Sequence, residues 1–276
     1  MRIAFIGVGA MGAGMAANLA KAQHQVAAFD LNPDLVAKAV AAGCHAAGSA
    51  ADAVRGAEAV ITMLPAGAHV RAVYAADILP NAAPGVLLID CSTIDIESAR
   101  AVAADAKAAG FRAADGPVSG GTAGAEAGTL AFMVGCEEAD FAAIEAILTP
   151  MARAVVRAGT AGAGQAAKIC NNMLLGISML GVAEAFALAE KLGLDAQAFF
   201  DIASKSSGQC WSLTSYSPWP GQVETAPSNR NYEGGFLTKL MLKDLKLSQE
   251  AASKAGAVTP LGAEAATMPP PASAVT

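Results

Sequence analysis

The sequence is poor in charged residues, and this scarcity excludes several classes of protein. Charged residues make up 15% of the 276 residues, and hydrophobic residues make up 54%. A disordered chain shows the opposite balance. The 18 basic residues are scattered and the net charge is −6, so the basic stripe of a nucleic-acid-binding protein is missing. Apolar runs free of glycine and charge fall short of the ~20 residues of a membrane span, and we therefore expect neither a nucleic-acid partner nor a membrane.

Cysteine and histidine are also few. The five cysteines are widely spaced and form no CxxC pair, which fits neither a disulfide framework nor a zinc site. We therefore expect a reducing compartment, the cytoplasm. The three histidines lie in the first quarter of the chain, and we predict no metal site. The apolar N-terminal segment is interrupted by four glycines, so we interpret it as part of the fold and not as a signal peptide.

Short β-branched or aromatic runs alternate with alanine-rich stretches of helical length in the first part of the chain. These runs are Ile3–Ile6, Val26–Phe29, Val60–Met63, Val86–Ile89, Ala131–Val134 and Ala154–Val156. Strands that alternate with helices predict βαβ units and a mostly parallel sheet. We therefore predict an α/β fold, with a doubly wound parallel sheet of the Rossmann type over residues 1–162.

The pattern changes after Gly159. Gln165–Leu192 runs without proline and predicts a helix of roughly 40 Å that leads into an all-α domain, residues 163–276. That domain contains one long loop, Ser206–Gly235, rich in Ser, Pro, Gly and Asn. The final segment, Ala265–Thr276, contains three consecutive prolines, and we expect a loose, non-helical tail there.

A glycine-rich turn follows the first predicted strand. Gly7-Val-Gly9-Ala10-Met11-Gly12 opens a helix that reaches Leu19. GxGxxG alone is a weak signal, but a strand before it, a helix after it and an acidic residue after the second strand are typical of a dinucleotide site. Gly7 permits the tight turn, Gly9 lets a pyrophosphate approach the backbone, and Gly12 brings helix and strand together. The alternative is a glycine turn without a ligand.

Asp30 follows the second predicted strand and predicts which dinucleotide is bound. Its carboxylate can accept hydrogen bonds from both hydroxyls of an adenosine ribose, whereas a 2′-phosphate would be repelled. The next residues, Leu31 and Asn32, supply no arginine for such a phosphate. The sequence therefore favours NAD over NADP. The alternative is that Asp30 only caps the helix that begins at Pro33.

A hydride-transfer reaction needs a proton carrier beside the reacting carbon, and the sequence offers few. The histidines lie among the cofactor-binding units, and no tyrosine has a lysine four residues later. Lys168 lies in an apolar helix, AAKICNNMLLGISML, where a lysine is costly to bury without a purpose. Asn172 is four residues later, on the same helix face, and would orient a substrate oxygen. A lysine that extends to solvent is the alternative.

The segment Asp115–Thr122 places small residues after a predicted strand. Such residues can present backbone N–H groups and hydroxyls to a carboxylate. An ordinary turn between a strand and a helix explains the segment equally well at this point.

Taken together, these segments resemble the β-hydroxyacid dehydrogenases. The matching blocks are FIGVGAMGAGMAANL, DGPVSGGTAGAEAGTL and the GxGxxxKxxNN helix. The loop SSGQCWSLTSYSPWPG, followed by PSNRNYEGGF and LMLKDLKLSQEAA, resembles the 3-hydroxyisobutyrate dehydrogenases within that family. The resemblance covers roughly residues 2–264.

The resemblance implies roles for residues on the substrate side. Lys168 is the general acid/base and Asn172 assists in substrate binding. The substrate carboxylate is held by Ser119, Gly120 and Gly121. The pocket is closed by Trp211 and Phe236.

It also implies roles on the cofactor side. The nicotinamide half is lined by Leu64, Pro65 and Thr93, and Lys243 reaches the cofactor from the helical domain. Spacing alone would make Lys243 a solvated helix lysine.

The implied activity is the NAD-dependent oxidation of 3-hydroxyisobutyrate to methylmalonate semialdehyde, a step of valine breakdown. A reductase of tartronate or succinic semialdehyde, or a non-catalytic NAD-binding protein, is the alternative. Small apolar helix faces, as in Leu174–Ala189, predict burial between subunits of a homodimer or homotetramer.

Two departures from the family pattern bear on these expectations. His69 stands where relatives often have asparagine, and we assign it no role. After LGA the family continues with a further helix, whereas this sequence ends in AATMPPPASAVT. We expect any pocket wall or subunit contact made by that helix to be altered.

Overall fold

The computed structural model describes residues 1–267, which form two compact units. The first unit is Met1–Lys168, and the second begins at Ile169. The domain boundary that the sequence suggests, between residues 162 and 163, stays a prediction. Each unit is described by itself.

The first unit is built on a nine-stranded sheet. Its strands are β1 (Arg2–Ile6), β2 (Gln25–Phe29), β3 (His45–Ala46), β4 (Ala59–Thr62), β5 (Leu87–Asp90), β6 (Arg112–Asp115), β7 (Val118–Ser119), β8 (Leu130–Gly135) and β9 (Ala152–Gly159). The order is β3-β2-β1-β4-β5-β6-β8-β7, with β9 paired to β8. β1 to β6 run parallel, whereas β8 is antiparallel to both β6 and β7. The predicted doubly wound, mostly parallel sheet is therefore confirmed.

Seven helices cover the sheet of this unit, and an eighth begins in it. They are α1 (Gly12–Lys21), α2 (Pro33–Ala41), α3 (Ala50–Val54), α4 (Gly67–Val73), α5 (Ile96–Ala108), α6 (Gly121–Ala127), α7 (Glu138–Leu148) and α8 (Ala163–Lys191). Side-chain caps mark the N-termini of several of these helices. Asn32 caps α2 and Asp95 caps α5, each by accepting a hydrogen bond from a backbone N–H group. Local sequence therefore decides where these helices begin.

Two hydrophobic clusters lie on opposite faces of the sheet, because alternate residues of each strand point to opposite sides. In β1, Ile3 and Phe5 belong to one cluster and Ala4 and Ile6 to the other. The first cluster contains residues of α1, α2 and α7, and the second contains residues of α3, α4 and α5. Burial on both faces explains why the strands read as continuous apolar runs.

The second unit is helical over its described residues. After α8 come α9 (Ala196–Ala203), α10 (Trp211–Thr214), α11 (Thr238–Ala255) and α12 (Pro260–Thr267). The ring of Phe186 meets that of Phe199 edge-on at 4.9 Å and stacks on that of Trp219 at 5.5 Å. Leu245 packs against Gly176, where an added Cβ would come within 3.0 Å of the leucine. α8 and α11 are thereby held close together.

Three short strands and part of the C-terminal segment differ from the sequence expectation. β3 and β7 contain only two residues each, too few for an alternating pattern, and β6 reads RAAD, without a β-branched or aromatic residue. The expected loose tail began at Ala265, but Ala265–Thr267 belong to α12. The rest of that expectation, including the three prolines, lies outside the described residues. The predicted loop Ser206–Gly235 contains α10 and a short 3₁₀ turn, Pro227–Arg230.

The helix α8 is long and apolar enough to cross a membrane by length and composition alone. Its most apolar 18-residue window has a mean hydropathy of 1.6, and 28% of that window is buried. A core helix of a soluble protein can be equally long and apolar, so one such helix is weak evidence for a membrane span.

All five cysteines have free thiols, with Cys44, Cys91 and Cys136 buried.

Candidate active site

The predicted cofactor residues of the first unit lie at one edge of the sheet, where four parallel strands end together, whereas Lys243 lies in α11 of the second unit. Ile6 pairs with Phe29 and with Thr62, and Thr62 pairs with Asp90. β1 is flanked by β2 on one side and β4 on the other, so the strand order reverses there. A reversal of this kind opens a crevice at the carboxyl ends of the strands, which is where doubly wound folds bind dinucleotides.

The glycine turn has the geometry that a pyrophosphate site requires. Gly7 has φ of +94°, a conformation that favours glycine, and a Cβ at Gly12 would collide with the carbonyl oxygen of Gly7. A Cβ at Gly9 would meet nothing within 4 Å, so the backbone there is open to a ligand. α1 begins without a side-chain cap and without an acidic residue in its first turn. Ala10 and Met11 lie between these glycines, and the whole turn fits an anion at the start of the helix.

Asp30 is connected to this turn by a hydrogen bond. Its Oδ2 accepts from the backbone N–H of Val8 at 3.0 Å, and its Oδ1 accepts from the N–H of Asn32 at 3.0 Å. The cap of α2 is Asn32, whose side chain accepts from the N–H of Asp34. The alternative that Asp30 only caps this helix is therefore wrong.

The turn after β4 is held by a buried serine. Ser92 Oγ accepts a hydrogen bond from the N–H of Leu64 at 2.8 Å and donates one to Asp90 Oδ1 at 2.6 Å. The hydroxyl of Thr62 donates to the same Asp90 oxygen at 2.7 Å. Leu64 and Pro65 follow β4, and Thr93 follows β5 directly after Ser92. The predicted nicotinamide residues are thus brought to one edge of the sheet.

Asp90 is a buried carboxylate with a perturbed acidity. Burial raises its pKa to about 6, the hydrogen bonds from Ser92 and Thr62 oppose that rise, and the charge of Asp115 adds to it. With Tyr74 and Asp115 it lines a cavity of about 10 Å³. That cavity is too small for a hydroxy acid, so we regard Asp90 as part of the support of the site.

Asp115 anchors the beginning of α8. Its Oδ1 accepts from the N–H of Gly162 at 2.7 Å, and its Oδ2 accepts from the N–H of Gln165 at 2.8 Å. The side chain of Gln165 is fully buried, and its Nε2 donates to the carbonyl oxygen of Ser92 at 2.7 Å. Burial raises the pKa of Asp115, and the backbone hydrogen bonds of Gly162 and Gln165 oppose this rise. The segment after β5 and the first turn of α8 are therefore linked.

Lys168 and Asn172 are both buried, with 7% and 1% of their surfaces exposed. They lie four residues apart in one uninterrupted helix, as the sequence predicts. Asn172 Nδ2 donates to Asp244 Oδ2 at 2.5 Å, and Asp244 is itself only 3% exposed. Lys243 forms an ion pair with Asp244 Oδ1 at 3.4 Å. The amide of Asn172 is therefore held in one orientation by a buried carboxylate.

The three residues predicted to hold a carboxylate run from the end of β7, through Gly120, into the first residue of α6. Ser119 ends β7, and Gly120 and Gly121 have φ of +141° and +64°. A Cβ at Gly120 would also press on Leu130 at 3.0 Å. Asn18 of α1 donates a hydrogen bond of 2.7 Å to the carbonyl oxygen of Ala125 in α6, which ties this segment to the cofactor helix.

Trp211 and Phe236 come together in the second unit through Tyr216. The rings of Trp211 and Tyr216 stack at 5.1 Å, and the N–H of Phe236 donates to Tyr216 Oη at 2.8 Å. Trp211 is 53% exposed, whereas Phe236 is half-buried. The structure places both residues against one tyrosine within the predicted loop.

Sequence reasoning missed five polar residues, each of which contacts predicted site residues or their neighbours within its own unit. They are Asp90, Ser92 and Gln165 in the first unit and Tyr216 and Asp244 in the second. The only local signal for Asp244 is an aspartate within the otherwise apolar and basic run LMLKDLKL. Among residues 1–267, no three His, Cys, Asp or Glu side chains are grouped so that they could hold a metal ion.

Family models match both parts of the chain. Residues 2–159 match the NAD binding domain of 6-phosphogluconate dehydrogenase. Residues 162–274 match the NAD-binding domain of NADP-dependent 3-hydroxyisobutyrate dehydrogenase. Together the two matches account for nearly the whole sequence.

Individual proteins match over almost the full length. A 3-hydroxyisobutyrate dehydrogenase of Pseudomonas aeruginosa is 51% identical over 263 residues, 95% of this chain and 88% of that protein. An NAD-dependent L-serine dehydrogenase of the same organism is 50% identical with the same coverage. The solved structure of Mycobacterium tuberculosis 3-hydroxyisobutyrate dehydrogenase with L-serine is 49% identical, covers 96% of this chain and 90% of its own, and has a TM-score of 0.93.

Proposed function

The chain belongs to the β-hydroxyacid dehydrogenases, a family of NAD-binding oxidoreductases, and from this premise we propose that it oxidises 3-hydroxyisobutyrate to methylmalonate semialdehyde. Relatives of that name that are about half identical over nearly the whole chain support the substrate. The proposed reaction rests on one observation: Lys168 and Asn172 are buried on one helix, and Asn172 donates a hydrogen bond to Asp244.

In the proposed reaction, Lys168 accepts the proton of the substrate hydroxyl. NAD, when bound, supplies the hydride acceptor. Asn172 holds the reacting oxygen, and Ser119, Gly120 and Gly121 hold the carboxylate. The alcohol thereby loses one hydride and one proton and becomes an aldehyde.

On the cofactor side, the glycine turn takes the pyrophosphate and Asp30 takes the ribose hydroxyls, so NAD is preferred over NADP. The nicotinamide half lies against Leu64, Pro65 and Thr93, and Lys243 contacts the cofactor. Trp211 and Phe236 close the pocket, and Tyr216 holds them.

L-Serine is a second candidate substrate. A relative at 50% identity is named an L-serine dehydrogenase, and a solved relative has L-serine in its name. L-Serine and 3-hydroxyisobutyrate both carry a carboxylate and a CH2OH group on one central carbon. They differ in the third substituent of that carbon, an amino group in serine and a methyl group in 3-hydroxyisobutyrate, so the same catalytic groups serve both. The semialdehyde reductases stay a less favoured alternative, and membership of an oxidoreductase family argues against a non-catalytic role.

We propose that the enzyme works in the cytoplasm, in the breakdown of valine, as a homodimer or homotetramer. Leu174 and Leu188 of α8 are 64% and 61% exposed in the single chain. With Gly181 they are spaced seven residues apart and share one helix face. Exposed leucines on a long helix are suited to burial between subunits.

Cofactor reduction by the purified chain tests the substrate. We would offer 3-hydroxyisobutyrate, L-serine, glycerate and 4-hydroxybutyrate, each with NAD or NADP, and follow absorbance of the reduced cofactor. The highest kcat/KM is expected with 3-hydroxyisobutyrate and NAD. A higher kcat/KM with L-serine would replace the first candidate by the second, and turnover of neither would reject both.

Lys168→Ala is the variant to test in the same assay. We expect kcat to fall about 10²- to 10⁴-fold, the range for loss of a general base, with NAD affinity unchanged. Lys239→Ala, which removes an exposed lysine of α11, is the control. Near-normal turnover of Lys168→Ala would show that another group carries the proton.

A further inference from the structure

The side chain of Gln165 holds the backbone on both sides of Thr93. Its Nε2 donates to the carbonyl oxygen of Ser92 at 2.7 Å, and its Oε1 accepts from the N–H of Ile94 at 3.1 Å. Gln165 is 0% exposed, and both hydrogen bonds lie in the buried interior. One side chain therefore fixes the residues before and after Thr93.

Ser92 in turn contacts the turn after β4, which contains Leu64. Its Oγ accepts from the N–H of Leu64 at 2.8 Å and donates to Asp90 Oδ1 at 2.6 Å. Ser92 is also 0% exposed. A displacement of Ser92 would therefore move the turn that contains Leu64 as well as the segment that contains Thr93.

The backbone of Gln165 is itself immobilised. Its N–H donates to Asp115 Oδ2 at 2.8 Å, and the preceding Gly164 packs so closely that an added Cβ would come within 2.8 Å of the same carboxylate oxygen. Lys168 follows three residues later, about 4.5 Å along the helix axis. The turn of α8 that leads to Lys168 is thus joined to the Thr93 and Leu64 segments through one buried glutamine.

We infer that Gln165 is a positioning residue for the hydride transfer, which keeps the Thr93 segment in register with the Lys168 turn. This inference rests on the proposed function, because the roles of Thr93 and Lys168 make their relative position matter. A misplacement of about 1 Å between reacting groups can lower a rate about 100-fold even when both ligands still bind.

Gln165→Met tests the inference because methionine is nearly the same length and can neither donate nor accept comparable hydrogen bonds. We expect kcat to fall about 10- to 100-fold, with KM for the hydroxy acid and Kd for NAD changed less than about threefold. Ser92→Ala removes the link to Leu64 and should show the same split, and it replaces the first variant if that variant does not fold.

Gln249→Met is the matched control. Gln249 is a half-buried glutamine of α11 whose Oε1 accepts from Thr259 Oγ1 at 3.1 Å, so the same chemical change removes a helix contact elsewhere. We expect it to lower Tm and leave kcat within about twofold of wild type.

Three results would overturn the inference. Wild-type kcat in Gln165→Met would reject it and leave the proposed function intact. An equal loss of kcat in Gln249→Met at equal loss of Tm would reduce Gln165 to a purely structural role. Absence of turnover by the wild-type chain with every hydroxy acid would reject the proposed function, and the inference with it.

Discussion

At the scale of single residues, two aspartates at neighbouring strand ends have different partners. Asp115 accepts backbone N–H groups with both oxygens, at 2.7 and 2.8 Å. Asp90 uses Oδ1 for Thr62 and Ser92, and within residues 1–267 its buried Oδ2 has no hydrogen-bond partner. Burial raises the pKa of both carboxyl groups, and in each the hydrogen bonds offset only part of that increase. The ionised form of Asp90 therefore lowers stability, while the position of its Oδ1 organises the Leu64 turn.

The pKa of Asp90 predicts a pH-dependent stability that Asp90→Asn removes. The folded pKa, about 6, exceeds the ordinary 3.8, so this group's contribution is fully present below pH 3.8 and is lost as pH rises through 6. Between pH 5 and 8 the free energy of unfolding of wild type should fall relative to Asp90→Asn, on the order of 1 kcal/mol. Asparagine keeps an acceptor for Thr62 and Ser92, so the fold is retained.

Urea unfolding of both proteins at pH 5, 6, 7 and 8 measures this difference. The neighbouring charge that acts on Asp90 is that of Asp115, which is common to both proteins. Burial and the Asp90 charge in turn raise the pKa of Tyr74 and of Cys91, so both stay neutral in this pH range. A difference that stays constant over the four pH values would contradict a raised pKa for Asp90.

At the scale of elements, close approach of backbones positions α8. A Cβ at Gly164 would collide with the carbonyl oxygen of Met133 in β8 and press on Asp115. Met133 and Asp115 lie on strands, which cannot yield as a flexible side chain would. Gly181, in the same helix, would meet nothing within 4 Å if it carried a Cβ. Packing therefore excludes a side chain at Gly164, whereas the single chain leaves room for one at Gly181.

Replacing glycine by alanine should therefore have opposite effects on the stability of the protein at these two positions of α8. Gly164→Ala should lower the free energy of unfolding by at least 1–3 kcal/mol, the typical cost of overpacking, and reduce kcat because the Lys168 turn is displaced. Below the protein concentration at which the proposed subunits associate, Gly181→Ala should raise the free energy of unfolding by up to about 1 kcal/mol. Alanine favours a helix interior over glycine, and its Cβ would meet no atom of the single chain within 4 Å. Chemical denaturation of the two variants checks both signs, and a stable, fully active Gly164→Ala would contradict the packing argument.

At the scale of the whole molecule, the exposed face of α8 predicts assembly. Leu174, Gly181 and Leu188 form a stripe on a helix whose most apolar window is 28% buried in the single chain. Burial of each leucine is favourable by about 1.5–3 kcal/mol, and several such side chains across an interface offset part of the cost of association.

Leu188→Lys should therefore weaken the assembly at least tenfold in Kd, because a charge would be buried between subunits. Light scattering during size-exclusion chromatography measures the mass of wild type and variant. Val258→Lys, at a residue that is 91% exposed between α11 and α12, serves as the control and should leave the mass unchanged. A monomeric wild type would refute the proposed oligomer.

Local patterns in the sequence were sufficient to predict several features of this protein. The glycine turn, the position of Asp30 after the second strand, most strands and the helix that contains Lys168 and Asn172 depend on spacings of a few residues. Such spacings follow the period of a helix or a strand, or the residue preferences of a turn. The short strands β3, β6 and β7 and the helical start of the C-terminal segment escaped this reasoning, because they owe their structure to neighbours that are distant in sequence.

Residue periodicity and turn chemistry are enough to predict the glycine turn, the apolar helix around Lys168 and the doubly wound sheet. The contacts that support these features form only when distant segments meet in the folded chain. Ser92 meets Leu64 across 28 residues, Gln165 meets Ser92 across 73, and Asn172 meets Asp244 across 72. No local pattern encodes such pairs, because they depend on strand order and helix packing, and burial then makes each hydrogen bond costly to lose.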